Sequence, residues 1–267
     1  MPPLRGQRQE KQSPEKLIEP PAAICGGTRK AFAMSAEALW IKICGNTSLA
    51  DTWLAADAGA DAVGFVLAPS PRQVTVAEAA AICAGLPAAI EKIGVFVDAG
   101  LEEIDAAVRG AGLTGVQLHF EAPAELPAKL RSRLGAELRI LRVVHFAAGA
   151  GQHGASGVAA EIATLAGDAA LDGILVDSRT ATARGGTGVA FDWVAARDRV
   201  FGSAGGLKLI AAGGLTPANV AEAIETLRPW GVDVVSGVEA APGRKHAPKV
   251  REFVERARQA AAYGRVG

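Results

Sequence analysis

The sequence predicts an α/β protein, a single closed (β/α)₈ TIM barrel behind a disordered N-terminal extension, and three observations predict it. From Trp40 onward, short apolar β-branched runs alternate with Ala-rich amphipathic stretches, the pattern of parallel strands buried on both faces with crossover helices outside. Eight segments of each kind can be read, at about 28 residues per unit, the span of a closed barrel; an open doubly wound sheet usually needs fewer strands. Capping residues also stand where helices should begin.

The first strand is read at Trp40 to Cys44, and the first helix follows Thr47-Ser48 from Leu49 to Ala58. Ala62 to Val66 is the second strand, and the Thr75 hydroxyl opens the second helix, Val76 to Leu86. Lys92 to Val97 and Leu101 to Arg109 make the third pair, Gly115 to His119 and Glu125 to Leu134 the fourth. The fifth pair is Leu138 to Val144 with Val158 to Leu165, and the sixth is Gly173 to Asp177 with Phe191 to Arg197. The seventh strand, Leu207 to Ala211, precedes Thr216-Pro217, a capping hydroxyl with a proline at the first helical position, and a helix to Leu227. Val232 to Ser236 and Ala247 to Ala262 complete the ring.

Residues 1–36 are rich in Pro, Lys, Arg, Glu and Gln and lack apolar periodicity, so they bury too little surface to offset the loss of chain entropy. They are read as a disordered tail, the alternative being that the natural start is Met34. Residues 37–267 form the barrel domain, and no second domain is read.

The 267 residues carry 28 basic and 28 acidic side chains, with no basic run long enough to neutralise nucleic-acid phosphates or lipid headgroups. Neither nucleic acid nor membrane is expected as a partner. Cys25, Cys44 and Cys83 show no metal-binding or disulfide spacing, which points to a reducing, cytoplasmic setting. No apolar run reaches the roughly 20 residues of a membrane span, and no secretion signal opens the chain.

In such barrels chemistry sits at the C-terminal ends of the strands. There the sequence places Cys44, Arg72, Asp98, His119, Asp177, Gly213-Gly214 and Ser236-Gly237. The glycines after the seventh and eighth strands let backbone amides approach a phosphate beside a helix N-terminus, or else they only permit tight turns. Arg184-Gly185-Gly186-Thr187-Gly188 is either a mobile lid or a plain surface loop. Cys44 is a small buried hydrophobe or, if amides and cations such as Lys42 favour its thiolate, a proton-transfer base. Cys83, in an Ala-rich helix, reads as structural. Asp177 ends the apolar run from Gly173 and serves either as a general acid or as an acceptor for loop amides. Arg72, stiffened by Pro71, offers a paired contact to a carboxylate or remains a solvated cation. His119 and His145 lack acidic neighbours at ligand spacing, so no metal is expected.

Ile41-Lys42-Ile43-Cys44-Gly45 with Thr47, Asp61 to Val66, Ser70-Pro71-Arg72, Gly94 to Val97, Val116 to His119, Asp177-Ser178, Gly185 to Gly188, Ala212 to Leu215 and Ser236 to Glu239 fall in one order. Together they resemble the phosphoribosylanthranilate isomerase family from Ile41 to about the end of the chain. The resemblance implies an Amadori rearrangement in tryptophan biosynthesis on a small phosphorylated sugar–anthranilate substrate, without a cofactor, by a monomer or a homodimer. It also implies Asp177 as general acid, Cys44 as general base, Arg72 on the anthranilate carboxylate, and Gly213, Gly214, Ser236 and Gly237 on the phosphate. Phe120, Val235 and the run from Lys245 to Lys249 depart from the family pattern, the last placing the start of the final helix in question. The alternatives are another phosphate-binding barrel, against which Cys44 argues, and a catalytically silent barrel, against which Cys44 together with Asp177 argues.

Overall fold

Side chains alternate along a strand, so each barrel strand must satisfy two environments, the helix layer outside and the barrel interior. The computed structural model describes residues 38–119, 123–145, 151–177, 197–201 and 208–263. Its parallel strands are β1 (Trp40–Ile43), β2 (Ala62–Val66), β3 (Glu91–Val97), β4 (Gly115–His119), β5 (Arg139–His145), β6 (Gly173–Asp177), β7 (Leu209–Ala212) and β8 (Gly231–Val234). They pair in sequence order, and β8 returns to β1 to close the barrel. The surrounding helices are α1 (Leu49–Asp57), α2 (Val76–Ala84), α3 (Leu101–Ala111), α4 (Leu126–Leu134), α5 (Gly151–Leu165), α6 (Val220–Leu227) and α7 (Ala247–Tyr263), with one turn of wide helix at Arg197–Phe201. The N-terminal extension, the glycine loop from Arg184 to Gly188 and all but Arg197 of the helix expected at Phe191 to Arg197 lie outside the described residues. No described helix is long and apolar enough to cross a membrane.

Side-chain capping accounts for two of the helix starts. The Ser48 hydroxyl accepts from the Asp51 N–H, and Thr75 with Glu78 forms a reciprocal capping box. Several boundaries differ from those expected, most by a residue or two, and three of the differences have a local explanation. Helix α5 starts at Gly151 rather than Val158; the glycines at 151, 154 and 157 have low helix propensity, so the sequence pattern does not signal these first turns. Helix α6 starts at Val220, since Thr216 to Asn219 forms a turn in which Asn219 Oδ1 accepts from the Thr216 N–H at 2.7 Å. Strand β8 ends at Val234, because Val235 (φ −122, ψ −87) leaves the extended region and Ser236–Val238 forms a tight turn. The final helix does begin at Ala247.

Outward residues such as Ile41, Ile43, Val63, Phe65, Val116, Leu118 and Ile140 pack against the helices in the main core. Inward residues Trp40, Ala62, Ile93, Leu141, Val143, Leu175 and Ile210 form a separate apolar plug at the barrel floor. Trp40 stacks on Trp230 at 5.3 Å, and the Arg139 guanidinium lies 5.8 and 5.5 Å from the two rings while Glu91 holds it through contacts of 2.5 and 2.7 Å. A Cβ at Gly231 would stand 2.8 Å from the Trp40 carbonyl oxygen and 3.0 Å from its ring carbon Cε3, so glycine lets both the Trp40 backbone and its ring approach β8 this closely. Toward the C-terminal end the inward positions turn polar, first Lys42, Gln117 and Asp233, then Cys44, His119 and Asp177.

Candidate active site

A cavity of about 330 Å³ opens at this polar end, lined among others by Cys44, Arg72, His119, Asp177, Gly213 and Ser236. It brings together the thiol, the guanidinium, the carboxyl and the two glycine-bearing segments picked out in the sequence.

Cys44 continues the pairing of β1, its N–H donating to the Val234 carbonyl at 2.9 Å. The chain then turns through Gly45 at φ 71, where a Cβ would meet Arg72 Cδ at 2.8 Å, so glycine is required for conformation and for space. Buried Asn46 locks this exit, its side-chain amide donating to the carbonyls of Ile43 at 2.8 Å and Gly64 at 3.2 Å. Gly64 on β2 leaves room for the thiol, since a Cβ there would lie 2.4 Å from Cys44 Sγ and 3.0 Å from Lys42 Cε.

Burial pushes the Cys44 thiol up, and Asp233 adds to this, while Lys42 and Lys245 pull the other way. The cations expected to favour the thiolate are present, but burial outweighs them. Burial also works against the Lys42 ammonium, but Asp233 and Cys44 outweigh it and leave its pKa raised. Lys42 Nζ donates to Asp233 Oδ1 at 2.9 Å and to Gln117 Oε1 at 2.8 Å.

Arg72 is not a solvated surface cation. Its Nε donates to Glu239 Oε1 at 2.9 Å and its Nη2 to Oε2 at 2.6 Å, the two-point geometry in which guanidinium best meets a carboxylate. Glu239 belongs to a hairpin of β9 (Glu239–Ala241) and β10 (Arg244–Lys245), turned at Gly243 with φ 78. From β10 the buried Lys245 ammonium reaches the Cys44 carbonyl at 2.5 Å and Glu239 Oε1 at 3.2 Å. Burial raises the Glu239 pKa, but Arg72, Lys245 and the Gly243 N–H together hold the carboxyl below its ordinary value. Two cations share this carboxylate, a local positive surplus suited to an anionic ligand.

Asp177 ends β6 almost fully buried, in register with His145 on β5 and Ala212 on β7. In the closed order, only β7 and β8 separate its strand from that of Cys44. Gly213 and Gly214 leave β7 with φ 84 and φ 64, and Asn219 Nδ2 donates to the Gly214 carbonyl at 3.1 Å, tying this loop to the following turn. Ser236 lines the cavity beside them. Gly237, expected at the phosphate, packs against the neighbouring loop, where a Cβ would stand 1.9 Å from the Leu215 carbonyl oxygen.

Gln117, Asp233, Glu239 and Lys245 join the site without a local motif that marks them, and Lys42 does more than contribute to the thiol's surroundings. A period-two reading of the strands would have placed Lys42, Gln117 and Asp233 inside the barrel, and Pro242-Gly243 is a turn signal that marks the hairpin.

A closed (β/α)₈ ring with facing glycine loops after β7 and β8 defines a phosphate-binding barrel. Residues 41–256 match the family described as N-(5'phosphoribosyl)anthranilate (PRA) isomerase. A relative from Geobacter sulfurreducens, the N-(5'-phosphoribosyl)anthranilate isomerase, is 41% identical over 228 residues, covering 82% of this chain and 98% of its own. Among solved structures, phosphoribosyl anthranilate isomerase from Thermotoga maritima superposes with a TM-score of 0.69 at 34% identity, over 83% of this chain and 99% of its own. A phosphoribosyl anthranilate isomerase in complex with reduced 1-(o-carboxyphenylamino)-1-deoxyribulose 5-phosphate gives 0.66 at 32% identity, with the same coverage. The chain belongs to the N-(5'-phosphoribosyl)anthranilate isomerase family.

Proposed function

We propose that this chain converts N-(5'-phosphoribosyl)anthranilate into 1-(2-carboxyphenylamino)-1-deoxyribulose 5-phosphate by an Amadori rearrangement in tryptophan biosynthesis. The observation that carries the reading is the convergence of Cys44, Asp177, Arg72 and the Gly213–Gly214 and Ser236 segments on one cavity.

Asp177 protonates the furanose ring oxygen as its bond to C1 breaks, and the anthranilate nitrogen supplies the electron pair that forms the Schiff base. The Cys44 thiolate removes the C2 proton, and the electrons shift to give an enolamine. The C2 hydroxyl then loses its proton as C1 gains one, leaving the ketone. Arg72, oriented by Glu239, holds the anthranilate carboxylate, while the loops after β7 and β8 hold the phosphate. Gly237 is part of this phosphate cradle with Gly213, Gly214 and Ser236, and it also lets the two loops close on each other. Anchors at both ends fix the sugar between acid and base, the positional part of the rate enhancement.

The test is the decay of anthranilate-derivative fluorescence with freshly generated substrate. Wild type should consume it, and folded Cys44→Ala and Asp177→Asn variants should not. An inactive wild type would remove the isomerase reading, and an active variant would remove the role assigned to that residue.

A further inference from the structure

The inward face of β1 carries Trp40, Lys42 and then Cys44 one pleat beyond its end, so the thiol stands directly above an ammonium. Lys42 is fully buried and bonded to Asp233 and Gln117, as described above. The thiol and the lysine stem converge on bare Gly64, where one added carbon would contact both. Lys42 is in register with Asp233 on the neighbouring β8. An ion pair buried this completely is weak evidence for stability, because apolar residues of similar volume often serve as well or better. Its place, between an apolar floor and the cavity, instead points to the thiol above it.

We propose that Lys42 and Asp233 are positioning residues that set the ionisation of Cys44, the ammonium stabilising the thiolate and the carboxylate both holding and tempering that ammonium. The proposal deepens the reading of Cys44 as general base and rests on it. The two members act on the thiol with opposite sign, so Lys42 is the counterweight to burial and Asp233 limits it. Other charged or titratable groups around the thiol are Lys245, whose ammonium binds the Cys44 carbonyl, Arg72 beside Gly45, Glu239 behind Arg72, and His119 and Asp177 on the cavity wall.

The test is a titration of the Cys44 thiol, by thiolate absorbance and by alkylation rate against pH, in the full chain carrying Cys25→Ser and Cys83→Ser. Lys42→Met should move the ionisation midpoint up by at least about one pH unit, a tenfold loss of thiolate at a given pH. Asp233→Asn should move it down. The double variant Lys42→Met/Asp233→Leu leaves no unpaired buried charge and should keep a midpoint above wild type, so the inference stays testable if Lys42→Met alone does not fold. The alkaline limb of kcat/KM should move with each midpoint. Unchanged midpoints, or shifts of the same sign in both single variants, would reduce the pair to a structural role. If the midpoints move as expected but Cys44→Ala retains activity, the coupling stands and the general-base reading falls.

Discussion

Replacing Gly64 by alanine tests whether the thiol must sit where β2 leaves room for it. The added carbon would lie 2.4 Å from Cys44 Sγ, 3.0 Å from Lys42 Cε and 3.1 Å from Cys44 Cα. Non-bonded carbon and sulfur atoms need about 3.5 Å or more, so the thiol must retreat by about 1 Å, or the strands must part. Misplacing a reacting group by that distance costs about a hundredfold in rate. Overpacking a closed interior costs about 1–3 kcal/mol, a fall in Tm of roughly 2–12 °C for a domain of this size. Steady-state fluorescence kinetics and a thermal melt read the two effects separately. The expected variant is folded, modestly destabilised, about a hundredfold lower in kcat and little changed in KM. A variant with wild-type kcat would refute the argument that Gly64 fixes the thiol at its working position.

Three further outcomes follow from the same geometry. Glu239→Gln removes the carboxylate that orients Arg72 and neutralises Lys245, so KM should rise and stability at neutral pH should fall by about 1–3 kcal/mol. Because the folded carboxyl titrates below its unfolded value, its stabilisation is complete above the ordinary glutamate range and disappears as pH falls through the folded value. Chemical denaturation below about pH 4 should therefore show a shallower acid loss in this variant than in wild type. Gly237→Ala must separate the loops after β7 and β8, so KM should rise at least about tenfold, inhibition by inorganic phosphate should weaken, and an unchanged inhibition constant would count against the packing argument. Arg139→Ala removes an ion pair with Glu91 and two cation–π contacts at the barrel floor, together about 2 kcal/mol, and a melt should show that loss with kcat unaltered.

The barrel was legible because its strands are buried on both faces and two of its helices begin with hydroxyl caps, at Ser48 and Thr75. Cys44 and Asp177 could be picked out because each polar group ends an apolar run. Legibility failed where a residue's environment depends on distant chain. Glu239 meets Arg72 across 167 positions, and Lys42 meets Asp233 across 191, separations that no local pattern records. Thr216 looked like a helix cap because its hydroxyl precedes a proline, yet the Asn219 side chain organises that turn. The close fit of Gly237 against Leu215 was also hidden, because a glycine at a strand end signals close approach to an anion as readily as to a carbonyl.

That last contact bears on how the barrel can be altered or recombined. With the position of a Gly237 Cβ only 1.9 Å from the Leu215 carbonyl oxygen, the ends of β7 and β8 behave as one exchangeable part. A chimera that joins relatives between these strands would inherit half of a fitted joint from each parent. Crossovers before β7 or after the β9–β10 hairpin would transmit it whole. The smallest unit that can be grafted to carry this end of the site is thus a quarter barrel with its trailing hairpin, and mutational walks through the two loops should show their strongest epistasis between them.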